Sequence, residues 1–196
     1  MKIPMFHKHE FRPDRRGTSQ LNKLWPTPKQ QLRILRWALY GVLCLVGLLA
    51  QDVLLYRVNV AGGCTDILPC LVIMVTVIQG VEGGSIFVLV ASVLYFFSGS
   101  SAGFHVIPLL TFIAVATVIF RQAFLRQGFG SLLLCAALGM LLYELSLFSV
   151  SLFLKLTVFS RVGAALITAL LSLIAVPLCY PVLMTIGKLG GEAWGE

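Results

Sequence analysis

Long apolar blocks separated by short polar segments restrict this chain to a small set of folds. The blocks hold roughly 15 to 25 residues, the length that an α-helix needs to cross about 30 Å of hydrocarbon. They lack the alternating polar and apolar pattern of a membrane β-barrel. With 58% hydrophobic and 12% charged residues, the sequence predicts an all-α integral membrane protein.

Six transmembrane spans are predicted, at about 37–56, 66–82, 84–99, 104–120, 130–154 and 162–187. We expect a six-helix bundle over residues 37–187, between a basic cytoplasmic tail at 1–36 and a short cytoplasmic end at 188–196. The first block is longer than a signal-peptide core and lacks a clear cleavage site, so we interpret it as a retained helix. The stretch "QGVEGGS" (79–85) predicts a tight turn that joins spans two and three as a hairpin. Both spans are short, and the distribution of charge also allows an alternative in which they do not cross the membrane fully.

The net positive charge is concentrated at the amino terminus. Residues 1–36 carry nine Lys or Arg against Glu10 and Asp14, whereas six basic and six acidic residues cancel over the rest. Because basic segments stay on the cytoplasmic side, six spans place both termini in the cytoplasm of a multi-pass cell-membrane protein. We expect the tail to lie near anionic lipid headgroups. Its basic pieces are too short for a nucleic-acid motif, so no nucleic-acid partner is expected.

Small side chains recur at helical spacing on two of the predicted spans. They are Ser85, Ser92 and Gly99 on the third span, and Ala165, Thr168 and Ser172 on the sixth. Such stripes allow the close backbone approach on which helix association in lipid depends. The pattern therefore predicts helix packing along these faces.

Glu144 is the most informative single residue, because it lies near the middle of an apolar span. An ionised carboxylate there costs several kcal/mol unless it is protonated, paired or hydrated. One interpretation is a site for a ligand, a cation or a partner helix, with Tyr143 adjacent. The other is a protonated structural carboxyl that bonds to a neighbouring helix.

Other polar residues lie at the predicted external ends of the spans. Asp66 or Thr65 is expected to cap the second span, with Pro69 in its first turn. Asp52 is expected to pair with Arg57 or with another external cation. His105 begins the fourth span, where a cap or headgroup contact is commoner than a ligand role. The segment "SGSSAGFH" (98–105) is predicted to connect two helices.

No catalytic set is recognisable, so an enzyme is not expected. No cofactor or metal is expected either: apart from His105, the histidines are His7 and His9, on the opposite side of the membrane. The five cysteines lack a C-x-x-C pair and favour free thiols, although Cys64 and Cys70 could bridge on an oxidising face.

The segment "DILPCLVIMVTVIQGVEGGSIFVLVASVLYFFSGSSAGFHVIPLL" (66–110) resembles the central part of MreD, the bacterial rod shape-determining membrane protein family. The matching positions are Asp66, Gly83, Gly84, Ser98, Gly99 and Gly103. Where that family often has an acidic residue just before the Ser-Gly pair, this chain has Tyr95.

The resemblance implies a non-enzymatic scaffold of the cell-elongation machinery, which builds peptidoglycan. Implied partners are an MreC-like single-span protein, an MreB-like actin homologue, and a SEDS glycosyltransferase with its transpeptidase. It also implies a fold similar to the S components of energy-coupling-factor vitamin transporters. The alternative function is therefore a solute-binding S component, with Glu144, His105 and Tyr95 lining an external pocket. The candidate residues for binding a partner or a ligand are Glu144, Tyr143, His105, Asp66 and Tyr95.

Overall fold

The structure, a computed structural model, describes residues 28–55, 59–60, 63–99, 101 and 103–189. Three features of the sequence lie outside these residues: the tail up to residue 27, the expected partner Arg57 of Asp52, and the chain beyond 189.

Apart from short loops and one pair of two-residue strands, the described chain is helical. The helices are α1 (Pro28–Ala50), α2 (Ile67–Phe97), α3 (Val106–Phe124), α4 (Phe129–Phe153), α5 (Val162–Ser172) and α6 (Ala175–Lys188). A π-helical turn (Gln51–Leu55) continues α1, and a 3₁₀ turn (Phe159–Arg161) precedes α5. Strands β1 (Asn59–Val60) and β2 (Gly63–Cys64) pair antiparallel between α1 and α2.

Five helical segments are long and apolar enough to cross a membrane, which confirms the all-α class. They are Gln30–Val53, Ile67–Phe97, Val106–Phe124, Phe129–Phe153 and Phe159–Lys188. The first helix begins at Pro28, upstream of the predicted start at 37. Proline suits the first turn of a helix, and the Lys, Gln, Leu and Arg residues that follow are good helix formers.

Helix α2 reverses direction at Gly80, so its two arms, 67–79 and 81–97, form a hairpin. Gly80 has φ 80° and ψ −176°, values that glycine adopts without a Cβ penalty. Beyond the break, Gly84 lies directly against the backbone of Thr76. In an uninterrupted helix these two residues would be separated by roughly 12 Å along the axis. The turn predicted within "QGVEGGS" is thus confirmed, with its pivot at Gly80.

Arg121 of α3 stabilises the hairpin at its Gly80 end. A break in a helix leaves carbonyl oxygens without their partners four residues on, which is costly in an apolar environment. The guanidinium of Arg121 is buried, and its Nη1 donates to the Val77 oxygen at 2.6 Å. Arg121 lies just beyond the fourth predicted span (104–120), yet its side chain is turned inward to this carbonyl.

The last apolar segment is bent between α5 and α6. Pro177 lacks the N–H that would bond to the Leu173 oxygen, and its ring crowds that carbonyl. The backbone tightens locally, with Ile174 N bonding to Leu171 O at 3.1 Å and Val176 N to Leu173 O at 3.0 Å. The span predicted at 162–187 is therefore two helices joined by a proline kink.

The α2 hairpin lies at the centre of the bundle and packs against α1, α3, α4 and α6, whereas α5 packs mainly on α4. Its first arm is almost entirely buried from Leu68 to Ile78. The rings of Trp37 and Tyr40 on α1 pack against Phe87 on the second arm, with ring centroids 6.3 and 6.2 Å from that of Phe87. Helix α1 is the least buried of the five spans.

We expect Gly84→Ala to destabilise the hairpin. The added Cβ would lie 2.6 Å from Thr76 Cγ2 and 2.8 Å from its carbonyl oxygen, and overpacking of this kind costs about 1–3 kcal/mol. Thermal denaturation of the detergent-solubilised protein measures the loss. Gly130→Ala is the control, because nothing lies within 4 Å of the Cβ it would add. Equal melting temperatures for the two variants would contradict the tight contact.

Candidate functional site

A network of polar side chains joins four chain segments at the end of the bundle opposite Gly80. We call Gln51, Asp66, Tyr95 and Ser172 the Asp66 network. The Tyr95 hydroxyl lies 2.9 and 3.0 Å from the two carboxylate oxygens of Asp66 and donates to them. Gln51 Nε2 donates to Asp66 Oδ1 as well. The hairpin is therefore closed by a direct link between its first and last turns.

Gln51 caps α2 in place of the residues that the sequence indicated. Asp66 occupies the N-cap position but makes no side-chain capping bond, because its carboxylate accepts from Tyr95 and Gln51 instead. Gln51 Oε1 accepts the Leu68 N–H at 3.0 Å. One amide side chain thus satisfies an orphan N–H of the first turn and also binds the carboxylate beside it. Pro69 lies in this turn, as predicted.

Ser172 ties the end of α5 to the start of α2. The Asp66 N–H donates to Ser172 Oγ at 2.9 Å, and Ser172 Oγ donates to the Thr168 carbonyl at 2.8 Å. The sequence assigned Ser172 to a packing stripe with Ala165 and Thr168. Its hydroxyl is fully buried and serves as a hydrogen-bonding bridge.

Asp66 immediately precedes the apolar part of α2 and is only partly exposed. Burial raises the pKa of its carboxyl to about 6, while the hydrogen bonds from Tyr95 and Gln51 act in the opposite direction. An ordinary aspartate has a pKa of about 3.9. Asp66 therefore changes charge in a range where most carboxylates are fully ionised.

Helix α4 brings Tyr143 and Glu144 up to this network. Tyr143 is fully buried beside Tyr95 and Asp66, and Glu144 lies close enough to Asp66 for the two carboxyls to interact. Neither the Tyr143 hydroxyl nor Glu144 Oε1 makes a hydrogen bond of normal geometry within the described residues. The structure thus gathers four of the predicted residues: Asp66, Tyr95, Tyr143 and Glu144.

Glu144 also lines an open cleft of about 240 Å³ between α4 and α5, which we call the Glu144 cleft. Its other lining residues are Leu147, Phe148, Ser151, Thr157, Arg161, Ala164, Ala165 and Thr168. Ala165 and Thr168, predicted as packing residues, therefore border a gap between the helices. Glu144 itself is 8% exposed.

The other predicted residues lie apart or serve local structure. His105 occupies the N-cap of α3 without a side-chain capping bond, and its buried Nε2 has no hydrogen-bond partner among the described residues. Ser85 and Ser92 bond to carbonyls of their own helix. Gly99 does not pack on a helix: it is exposed, with φ 79°, and follows the end of α2.

Across the part of the chain that the structure describes, no group of three His, Cys, Asp or Glu side chains could hold a metal ion. Cys70 is a buried free thiol, so it does not bridge to Cys64.

Two members of the network were not recognised as site residues from the sequence. Gln51 and Asp52 form a polar pair at the end of an apolar helix. That position could have indicated a polar contact at the end of the bundle. Ser172 was recognised only as a small residue.

Comparisons of the chain with family models, with curated proteins and with solved structures found no match.

Tyr95→Phe is expected to destabilise the bundle, because it removes the hydroxyl that closes the hairpin. Hydrogen bonds to charged groups contribute about 1.5–3 kcal/mol. The melting temperature in detergent provides the measurement. Tyr180→Phe is the control, since its ring packs 4.9 Å from Phe129, outside the network. If Tyr95→Phe were as stable as Tyr180→Phe, the Tyr95 hydroxyl would not stabilise the bundle.

The stability of the solubilised protein should rise as the pH falls from 7 to 5. Between about pH 4 and 6 folded Asp66 holds a proton that the unfolded chain has lost, so acidification favours the folded state. Asp66→Asn is expected to flatten this dependence, whereas exposed Glu82→Gln retains it. Melting temperatures recorded across this pH range show whether stability rises on acidification. If the melting temperatures of wild type and Asp66→Asn changed equally with pH, Asp66 would not be the cause.

Proposed function

We propose that this protein is a non-enzymatic integral membrane scaffold of the bacterial cell-elongation complex, which recognises partner proteins through its transmembrane helices. Two features support the proposal. One is the resemblance of residues 66–110 to the MreD family. The other is an apolar groove on the surface of the bundle, whose apolar and small lining residues suit a contact with another helix.

The segment that carries the resemblance coincides with the α2 hairpin and its connection to α3. Its main departure from the family, Tyr95 in place of an acidic residue, has a physical reason in this chain. The Tyr95 hydroxyl donates to Asp66 at 2.9 Å, whereas a second carboxylate there would repel Asp66. A neutral Tyr95 can therefore hold the hairpin closed by bonding to the acidic Asp66. This departure is compatible with a scaffold.

The observation that carries the proposal is the groove between α1 and the second arm of α2. It measures about 190 Å³ and is lined by Trp37, Gly41, Cys44, Ile86, Phe87, Val90, Ala91 and Leu94. Gly41 has no atom within 4 Å of the position a Cβ would take. Small residues at a lipid-exposed surface permit the close backbone approach of another helix.

In this proposal the two hairpin arms are separate crossings, which gives six and puts both termini in the cytoplasm of a bacterial cell. The arms rise roughly 20 and 26 Å at 1.5 Å per residue. Since both are shorter than about 30 Å of hydrocarbon, the bilayer thins locally around the hairpin. The basic tail then contacts anionic lipid or an MreB-like protein, and the groove binds the single span of an MreC-like protein. The SEDS glycosyltransferase and its transpeptidase join the same complex.

A second candidate function is a solute-binding S component of a transporter. The Glu144 cleft favours it, because a nearly buried carboxyl beside an open gap can hold a ligand. The two functions differ in whether a partner protein remains bound through purification: a scaffold requires it, and an S component does not.

Gly41→Leu is expected to abolish co-purification of the MreC-like protein co-expressed from the same organism. A Cβ added at position 41 would have no atom within 4 Å, and the rest of the leucine side chain would fill the groove that the partner helix needs. Tagged full-length protein is captured from detergent extracts, and the bound partner is quantified by immunoblot.

Gly130→Leu is the matched control, because it also adds a side chain where no atom lies within 4 Å. Equal recovery of the partner by the two variants would place the contact elsewhere. Failure of the wild-type protein to recover the partner, together with retention of a small molecule, would favour the S component.

A further inference from the structure

We propose that the Glu144 cleft binds a zwitterion whose primary ammonium group lies at Glu144 and whose anionic group lies at Arg161. This site is separate from the groove beside Gly41 and does not depend on the scaffold function.

The floor of the cleft holds an acidic group that the protein leaves incompletely satisfied. Glu144 is 92% buried, and its Oε1 accepts no hydrogen bond from any described residue. Burying a carboxyl without a partner is costly, so a bound donor would recover free energy that the isolated chain loses. The carboxyl of Asp66 lies nearby and makes the local potential more negative. Both features favour a cationic donor.

The rim of the cleft carries the opposite charge. Arg161 lines it at the start of α5 and is exposed. Within the described chain Arg161 forms no ion pair with Glu144, although both residues border one cleft. A guanidinium binds phosphate or carboxylate oxygens in bidentate fashion, and the amino end of α5 adds a favourable dipole. The cleft thus presents a negative floor and a positive rim.

The walls and the volume limit the size of the ligand. Leu147, Phe148, Ala164 and Ala165 give apolar walls, and Ser151, Thr157 and Thr168 supply hydroxyls. A volume of about 240 Å³ lies below the usual range of about 300–1,000 Å³ for drug-sized ligands. It suits a small headgroup or solute.

This chemistry occurs in two sources, an ethanolamine phospholipid headgroup and a free amino-phosphate or amino acid. A primary ammonium has three N–H donors for Glu144. The trimethylated ammonium of a choline headgroup has none, and a glycerol headgroup has no cation. The site should therefore prefer ethanolamine to choline and to glycerol.

The test uses the full-length protein in nanodiscs of phosphatidylcholine that contain a minor fraction of phosphatidylethanolamine or phosphatidylglycerol. Native mass spectrometry counts the lipids that remain bound. We expect preferential retention of phosphatidylethanolamine, lowered about tenfold by Glu144→Gln and by Arg161→Gln, which corresponds to about 1.4 kcal/mol each. Glu82→Gln and Arg126→Gln remove the same charges at exposed positions outside the cleft and should leave retention unchanged.

A second arm distinguishes the two sources. Phosphoethanolamine is titrated by calorimetry into protein held in pure phosphatidylcholine nanodiscs. Binding in this arm that depends on Glu144 and Arg161 identifies a soluble ligand, and retention of phosphatidylethanolamine alone identifies a lipid. Either result supports the proposed chemistry.

If a charge variant fails to fold, Ala165→Leu provides the test instead. This substitution fills the cleft, leaves both charges in place and should abolish binding. The proposal is overturned if phosphatidylethanolamine has no advantage and phosphoethanolamine does not bind. It is also overturned if binding survives the charge variants or Ala165→Leu. Partner recovery through the Gly41 groove is a separate readout, so failure here leaves the scaffold proposal standing.

Discussion

The hydrogen bonds between Tyr95 and Asp66 are the interaction on which the rest of this structure depends. They join residues 29 positions apart, at the two ends of a hairpin that fills the centre of the bundle. A polar group within a membrane protein must find its partner inside the protein, because hydrocarbon offers none. Gln51 and Ser172 complete the network, so the ends of α1 and α5 are held by the same carboxylate and its backbone.

The other end of the hairpin follows the same rule. The reversal at Gly80 interrupts the helical hydrogen bonds, and Arg121 supplies a donor to the exposed Val77 carbonyl. Polar contacts at both ends and tight Gly84–Thr76 packing between the arms hold the two arms of the hairpin together. The groove beside Gly41 lies between α1 and α2, whereas the Glu144 cleft lies between α4 and α5, and the two have no lining residue in common.

The sequence predicted the features that depend on local composition. Block length gave helical spans close to those observed, and the glycines of "QGVEGGS" gave the reversal of α2. The contacts of single polar residues were harder to predict. Gln51 caps a helix 17 positions away, and Arg121 binds a carbonyl 44 positions away. Hydrophobic periodicity identifies the buried face of a helix but not the partner of a side chain, which depends on how the hairpin packs. Glu144 was recognisable because a carboxylate in an apolar run always requires explanation.

The distance between the two ends of α2 tests the hairpin most directly. Nitroxide labels can be placed at Thr65 and Ser98 in a variant whose five native cysteines are replaced by alanine, and their separation measured by pulsed electron paramagnetic resonance in nanodiscs. Helices pack with their axes about 8–10 Å apart, so with two label side chains a closed hairpin predicts a distance below roughly 25 Å. A distance near 50 Å, as in an uninterrupted helix at 1.5 Å per residue, would contradict the account.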